Sequence, residues 1–152
     1  MGKSRKLKGF TLIEILVVVA LIAILAAVTI VAINPAKNFA DTRNATRSAD
    51  VTQILNASTQ YTSEEGHSVS GLGTIPACPV DPTDPPASCI GSGAGCVDLG
   101  AVLVDEYLVA IPEDPTTGSE ADTGYTICQT AGGRLQIDAP DAEKDATIKV
   151  MR

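Results

Sequence analysis

Between Phe10 and Ile33 lie 24 residues with a single ionisable side chain, Glu14. An apolar run of that length is long enough to cross a bilayer as an α-helix, which needs about 20 residues. A charge inside such a segment costs roughly 2.5–3.5 kcal/mol on insertion scales and is normally offset by a partner. The rest of the chain offers Glu14 no obvious one. Lys3, Arg5, Lys6 and Lys8 precede the run with no acid among them, so the positive-inside bias holds the N-terminus in the cytoplasm. Everything after Ile33 is then exported. A secretory signal would close its apolar core after about 7–15 residues with a small-residue cleavage site. Here the core runs on into helical sequence, and the small-residue step, Gly9-Phe10, comes before it.

Lys8-Gly9-Phe10-Thr11-Leu12-Ile13-Glu14 resembles the class III signal of type IV pilins and the related pseudopilins. The resemblance implies removal of the leader by a prepilin peptidase between Gly9 and Phe10, and N-methylation of Phe10. It also places Glu14 five residues into the mature chain. The spacing has a physical logic of its own. The freed amine of Phe10 is a cation within the apolar layer and Glu14 an anion one helical turn away, each costly alone and tolerable as a pair. If subunits stack with a small axial offset, the carboxylate of an incoming subunit meets the amine of its neighbour, so assembly neutralises both charges. Gly9 and Phe10 are therefore the expected processing residues, and Phe10 and Glu14 the expected assembly residues. A plainer alternative is an uncleaved anchor in which Glu14 snorkels to the interface.

The pattern divides the chain into a leader (1–9), an apolar helix (10–33), its amphipathic continuation (34–63), a Gly/Pro/Cys-rich loop (64–98) and a sheet region (99–152). Asn34-Pro35 predicts a kink or short melted stretch. Beyond it Phe39, Ala40, Arg43, Arg47, Val51, Ile54, Leu55, Ser58 and Tyr61 fall largely at spacings of three and four, with Val51, Ile54, Leu55 and Ser58 the clearest apolar stripe, predicting a helix to about Ser63. Glu65-Gly66-His67 supplies its stop. Leu99 to Leu108 fits a short helix or a strand equally well. Tyr125–Gln129 and Leu135–Asp138, joined by Thr130-Ala131-Gly132-Gly133, read as a β-hairpin, and Ala146–Met151 as a further strand. The expected fold class is α+β, a long helix covered by three or four antiparallel strands, an order that resembles the pilin fold.

Proline and glycine leave residues 66–98 no regular element, so the loop needs another restraint. Cys78, Cys89, Cys96 and Cys128 are even in number and lie on the exported, oxidising side, which favours disulfides. Three pairings exist; Cys78–Cys89 with Cys96–Cys128 would close the proline loop and tie it to the sheet. Zinc is disfavoured, since no two cysteines are closely spaced and His67 is the only histidine. Glu113, Asp114, Glu120 and Asp122 crowd one loop with Thr117 and Ser119, giving calcium a set of oxygen ligands of which Asp114, Glu120 and Asp122 are the candidates. The resemblance adds that some type II secretion pseudopilins bind calcium near this point. No EF-hand spacing is present, and acids on a surface turn are ordinarily solvated, so no cofactor is expected.

Taking the four leader bases from the chain's −7 leaves −11 (−7 − 4 = −11), which does not suit a dedicated nucleic-acid binder. Arg43 and Arg47 are expected to be solvated or paired with neighbouring subunits. No nucleophile elbow, phosphate loop or zinc-protease motif occurs, so no enzyme is expected. The implied protein is a filament subunit, held in the cytoplasmic membrane as a precursor and displayed in a cell-surface fibre after assembly. Its partners would be the peptidase, identical or related subunits, an assembly platform and lipid. Such fibres serve motility, adhesion, DNA uptake or secretion. The alternatives are a major pseudopilin of type II secretion and a membrane-anchored, disulfide-bonded binding module that never polymerises.

Overall fold

The computed structural model describes residues 9–81 and 86–152. The basic leader through Lys8, and Pro82 and Pro85 of the proline-rich loop, lie outside the described residues. The chain divides into two compact units, Met1–Phe39 and Ala40–Arg152.

The first unit is helix α1 (Leu12–Ile33) and the start of α2 (Pro35–Ser63). At a rise of 1.5 Å per residue, the 22 residues of α1 extend about 33 Å. The expected kink takes a different form, because two separately capped helices meet at Asn34. Asn34 ends α1 in the left-handed conformation (φ 47°, ψ 73°), which asparagine tolerates better than most residues. Its Oδ1 then accepts from Lys37 N at 3.3 Å, while Asn38 Nδ2 donates to the orphaned Ile33 carbonyl at 3.1 Å. Pro35 occupies the first position of α2, where a missing N–H leaves no bond unmade.

In the second unit α2 buries Ala40, Arg47, Val51, Ile54, Leu55, Ala57 and Ser58. The stripe starts at Ala40, and Phe39, one residue or about 100° out of phase, is 64% exposed instead of joining it. The helix ends at Ser63, and Gly66 adopts φ 90° just beyond it. The core joins Val51, Ile54 and Leu55 to Leu72, Ile90, Leu99, Leu103, Tyr125, Ile127, Leu135 and Ile137.

The sheet has four antiparallel strands in sequential order: β1 (Ser88–Cys89), β2 (Thr126–Gln129), β3 (Leu135–Ala139) and β4 (Ile148–Met151). In β3 burial alternates, turning Leu135, Ile137 and Ala139 inward as the period of two requires. The β2–β3 turn closes with Thr130 N donating to Arg134 O at 2.8 Å, and Gly133 takes φ 80°. Leu99–Leu108 resolves into the short helix α3 (Gly100–Leu103), which buries Leu103. The loop read as lacking any regular element contains a 3-10 turn (Val69–Leu72) and β1, whose register partners are Ile127 and Thr126.

The disulfides are Cys78–Cys128 and Cys89–Cys96, not the expected Cys78–Cys89 and Cys96–Cys128. Backbone docking explains the difference. Cys78 N donates to Gln129 O and Gln129 N to Pro76 O, both at 2.8 Å, which lays Cys78 beside Cys128 with Cα atoms 4.8 Å apart. Cys89 and Cys96 are the two ends of one tight turn, closed by Val97 N donating to Cys89 O. Because loop-closure stabilisation grows with loop length, the 50-residue bridge should contribute about 4 kcal/mol and the 7-residue bridge about 2.5 kcal/mol. Cys78→Ser with Cys128→Ser is accordingly expected to lower the melting temperature more than Cys89→Ser with Cys96→Ser, as measured by circular dichroism.

Candidate assembly site

Thr11 is the N-cap of α1, with extended backbone (φ −85°, ψ 151°). Glu14 N donates to Thr11 Oγ1 at 3.3 Å, while Glu14 Oε2 accepts from both Thr11 N and Thr11 Oγ1 at 2.7 Å. This reciprocal capping box satisfies donors that a helix start leaves orphaned, and it sets an anion at the positive end of the helix dipole. Glu14 therefore does have a partner within the chain. The signal was present in Thr11-Leu12-Ile13-Glu14, a threonine followed three residues later by glutamate ahead of an apolar run.

Both of those bonds fall on Oε2, and Oε1 has no hydrogen bond among the described residues. The carboxylate is thus held in place by its own helix with one oxygen still open to a donor. Gly9 and Phe10 lie immediately ahead of the cap, and Phe10 is 86% exposed. No residue of α1 is buried. Its mean hydropathy of 3.3 and length qualify it to cross a membrane. A surface of this size and apolarity has to be covered by lipid or by protein.

Of the three calcium candidates, Asp114 is engaged in an internal ion pair. Asp114 is fully buried and takes a bidentate pair from Arg47, whose side chain is only 1% exposed: Nε to Oδ2 at 2.5 Å and Nη2 to Oδ1 at 3.1 Å. Thr116 N, Thr116 Oγ1 and Thr117 N also donate to Oδ1. Burial works to raise the Asp114 pKa, but the bonds from Arg47 and Thr116 outweigh it and hold the carboxyl well below the usual carboxylate range. Both Asp114 oxygens are thus engaged within the chain. Glu120 and Asp122 are exposed, and Asp122 Oδ1 accepts from Gly124 N at 3.0 Å. Zinc is likewise without thiolates, since all four cysteines are bridged.

The two arginines expected to be solvated or paired with neighbouring subunits instead pair within the chain. Arg43 forms a bidentate pair with Glu143, both bonds 2.5 Å, and Arg47 Nη1 reaches the same carboxylate at 3.1 Å. Asn44 Nδ2 donates to Glu143 O and Asn44 Oδ1 accepts from Glu143 N, locking the loop before β4 onto α2. His67 stacks on Tyr61 at a centroid distance of 4.2 Å beside Glu64, which accounts for it at the end of α2.

Residues 4–30 match the prokaryotic N-terminal methylation motif. The chain thus carries a type IV pilin-like class III signal, and the match supports a pilin or pseudopilin type of protein. No curated protein and no solved structure matches the chain at a significant level. The pilin-type signal and α1 together fit a precursor anchored in a membrane, and such a signal points to a structural subunit rather than an enzyme. It also implies processing by a prepilin peptidase and assembly with other pilin subunits.

Proposed function

We propose that this chain is a structural subunit of a type IV pilus-like filament. It enters the membrane as a precursor, is cut after Gly9, is methylated on Phe10 and polymerises through α1. The observation that carries this reading is an apolar helix exposed along its whole length, entered through the methylation motif. Once processed, the helix needs a new environment, and copies of itself supply one. Glu14 then offers its open oxygen to the Phe10 amine of an adjacent subunit. Contacts between different surfaces of identical subunits that do not close into a ring generate a fibre.

Mass spectrometry of the mature N-terminus tests the processing step. N-methylated Phe10 is the expected terminus; an intact Met1 leader in the surface form would contradict the proposal and favour a non-polymerising anchor. Fibres sheared from the cell surface should contain the chain, whereas confinement to the periplasm would assign it to a secretion pseudopilus.

A further inference from the structure

Ala40–Arg152 is sorted by charge. Arg43, Arg47 and Lys144 are held by Glu143, Asp114 and Asp41. Arg134, Lys149 and Arg152 form no ion pair among the described residues. These three lie toward the β4 side of the sheet: Arg134 precedes β3, Lys149 lies in β4 in register with Asp138, and Arg152 follows on the face toward α2, bonded to Leu135 through the backbone and to Asn56 Oδ1 at 3.1 Å. In β4, Ile148 and Val150 are half-buried while Lys149 and Met151 are exposed.

A cavity of about 500 Å³ is lined from Ile90, the residue after β1, which is the edge strand opposite β4. Val104, Val109 and Ile111 give it an apolar lining, and Asp98, Glu113 and Glu120 stand around it. None of these acids forms an ion pair among the described residues. Val109 is 95% exposed. Within Ala40–Arg152 the exposed large apolar side chains described are Val80, Val109 and Met151, so the acidic surface and the basic surface hold one each.

We infer that the cavity around Val109 receives the β4 edge of a second copy, with Met151 against the apolar lining and Lys149 and Arg134 facing the carboxylates. The contact rests on the filament reading and gives its outer surface an interface separate from α1. Charge and apolar groups match between two surfaces of one chain, which is why a second copy is the occupant. Copies with a net charge of −11 repel one another at long range, and this sorting supplies a local attraction that selects one orientation. Because the giving and receiving surfaces are different, each copy gives and receives at once, and the contact propagates wherever its rotation does not close a ring.

The test places the photocrosslinker p-benzoylphenylalanine at Val109 in the full-length chain in cells, with a parallel probe at Ile22 in α1. Irradiation is expected to give a dimer whose adduct maps to Val150 or Met151. Lys149→Glu with Arg134→Glu should reduce that adduct about tenfold or more, and adding Glu113→Lys with Glu120→Lys should restore it. An Ile22 dimer accompanied by a Val109 adduct elsewhere on the second copy, on another protein, or by none, would overturn the edge contact and leave the filament standing. Absence of both dimers would overturn the filament reading, and this contact with it.

Discussion

Glu14→Gln is expected to leave α1 intact and to cut incorporation into filaments by on the order of 100-fold. Glutamine at the third helical position retains the capping bonds, because its carbonyl oxygen still accepts from Thr11 N and Oγ1. What it removes is the charge. In an assembled core the Phe10 amine of the neighbouring subunit would then be a buried cation without its anion, which costs roughly 3–5 kcal/mol. Glu14→Ala removes the cap as well, at about 1 kcal/mol more. Quantifying sheared fibres measures assembly, and circular dichroism in micelles measures the helix. Gln should separate the two, losing fibres while keeping helicity, and Ala should lose fibres with a frayed first turn. Normal fibre yield from Glu14→Gln would reduce Glu14 to a helix cap.

Asp114→Ala should be the most damaging change in Ala40–Arg152. It strands the Arg47 guanidinium, 1% exposed, with a single carboxylate, Glu143, and the neutral groups of Asn44 and Thr116 beside it. Breaking one side of a buried pair costs about 3–5 kcal/mol, or a drop in melting temperature of about 10–20 °C for a unit of this size. Arg47→Met combined with Asp114→Leu should recover much of that loss, because replacing both charges with apolar groups of similar volume is often close to neutral. The same network sets acid sensitivity. Hydrogen bonds from Arg43 first, opposed by burial and helped by Arg47, hold Glu143 down at about 2, and Asp114 is also held low. Folded values below the unfolded values of about 4 mean that the unfolded chain binds more protons as pH falls. The stability these groups contribute is present above about pH 5 and is lost as pH falls toward 2. Thermal melts with both disulfides intact should therefore be flat from about pH 7 to 5 and decline below.

What could be read from residues alone follows how local each signal is. The apolar run, the hairpin across Gly132-Gly133 and the strand ending at Met151 are written in continuous stretches, and they appear where expected. Asn34-Pro35 marked a break, but only the structure shows that it is a double cap rather than a bend. A two-residue strand such as Ser88–Cys89 exists only because β2 is there to pair with it. Disulfide pairing depended on how the proline loop docks on Gln129, a contact that spacing does not encode. Arg47 read as a surface residue because arginine usually is one, yet its position four before Val51 and seven before Ile54 places it on the buried stripe. Its partner Asp114 lies 67 residues away, beyond the reach of any local pattern.

The most direct measurement is a high-resolution map of native fibres containing this chain. The Glu14 carboxylate should lie within about 4 Å of the Phe10 amine of an adjacent subunit, close enough for an ion pair. A carboxylate bonded only to its own Thr11 and facing lipid or solvent, with every amine distant, would contradict assembly by charge neutralisation.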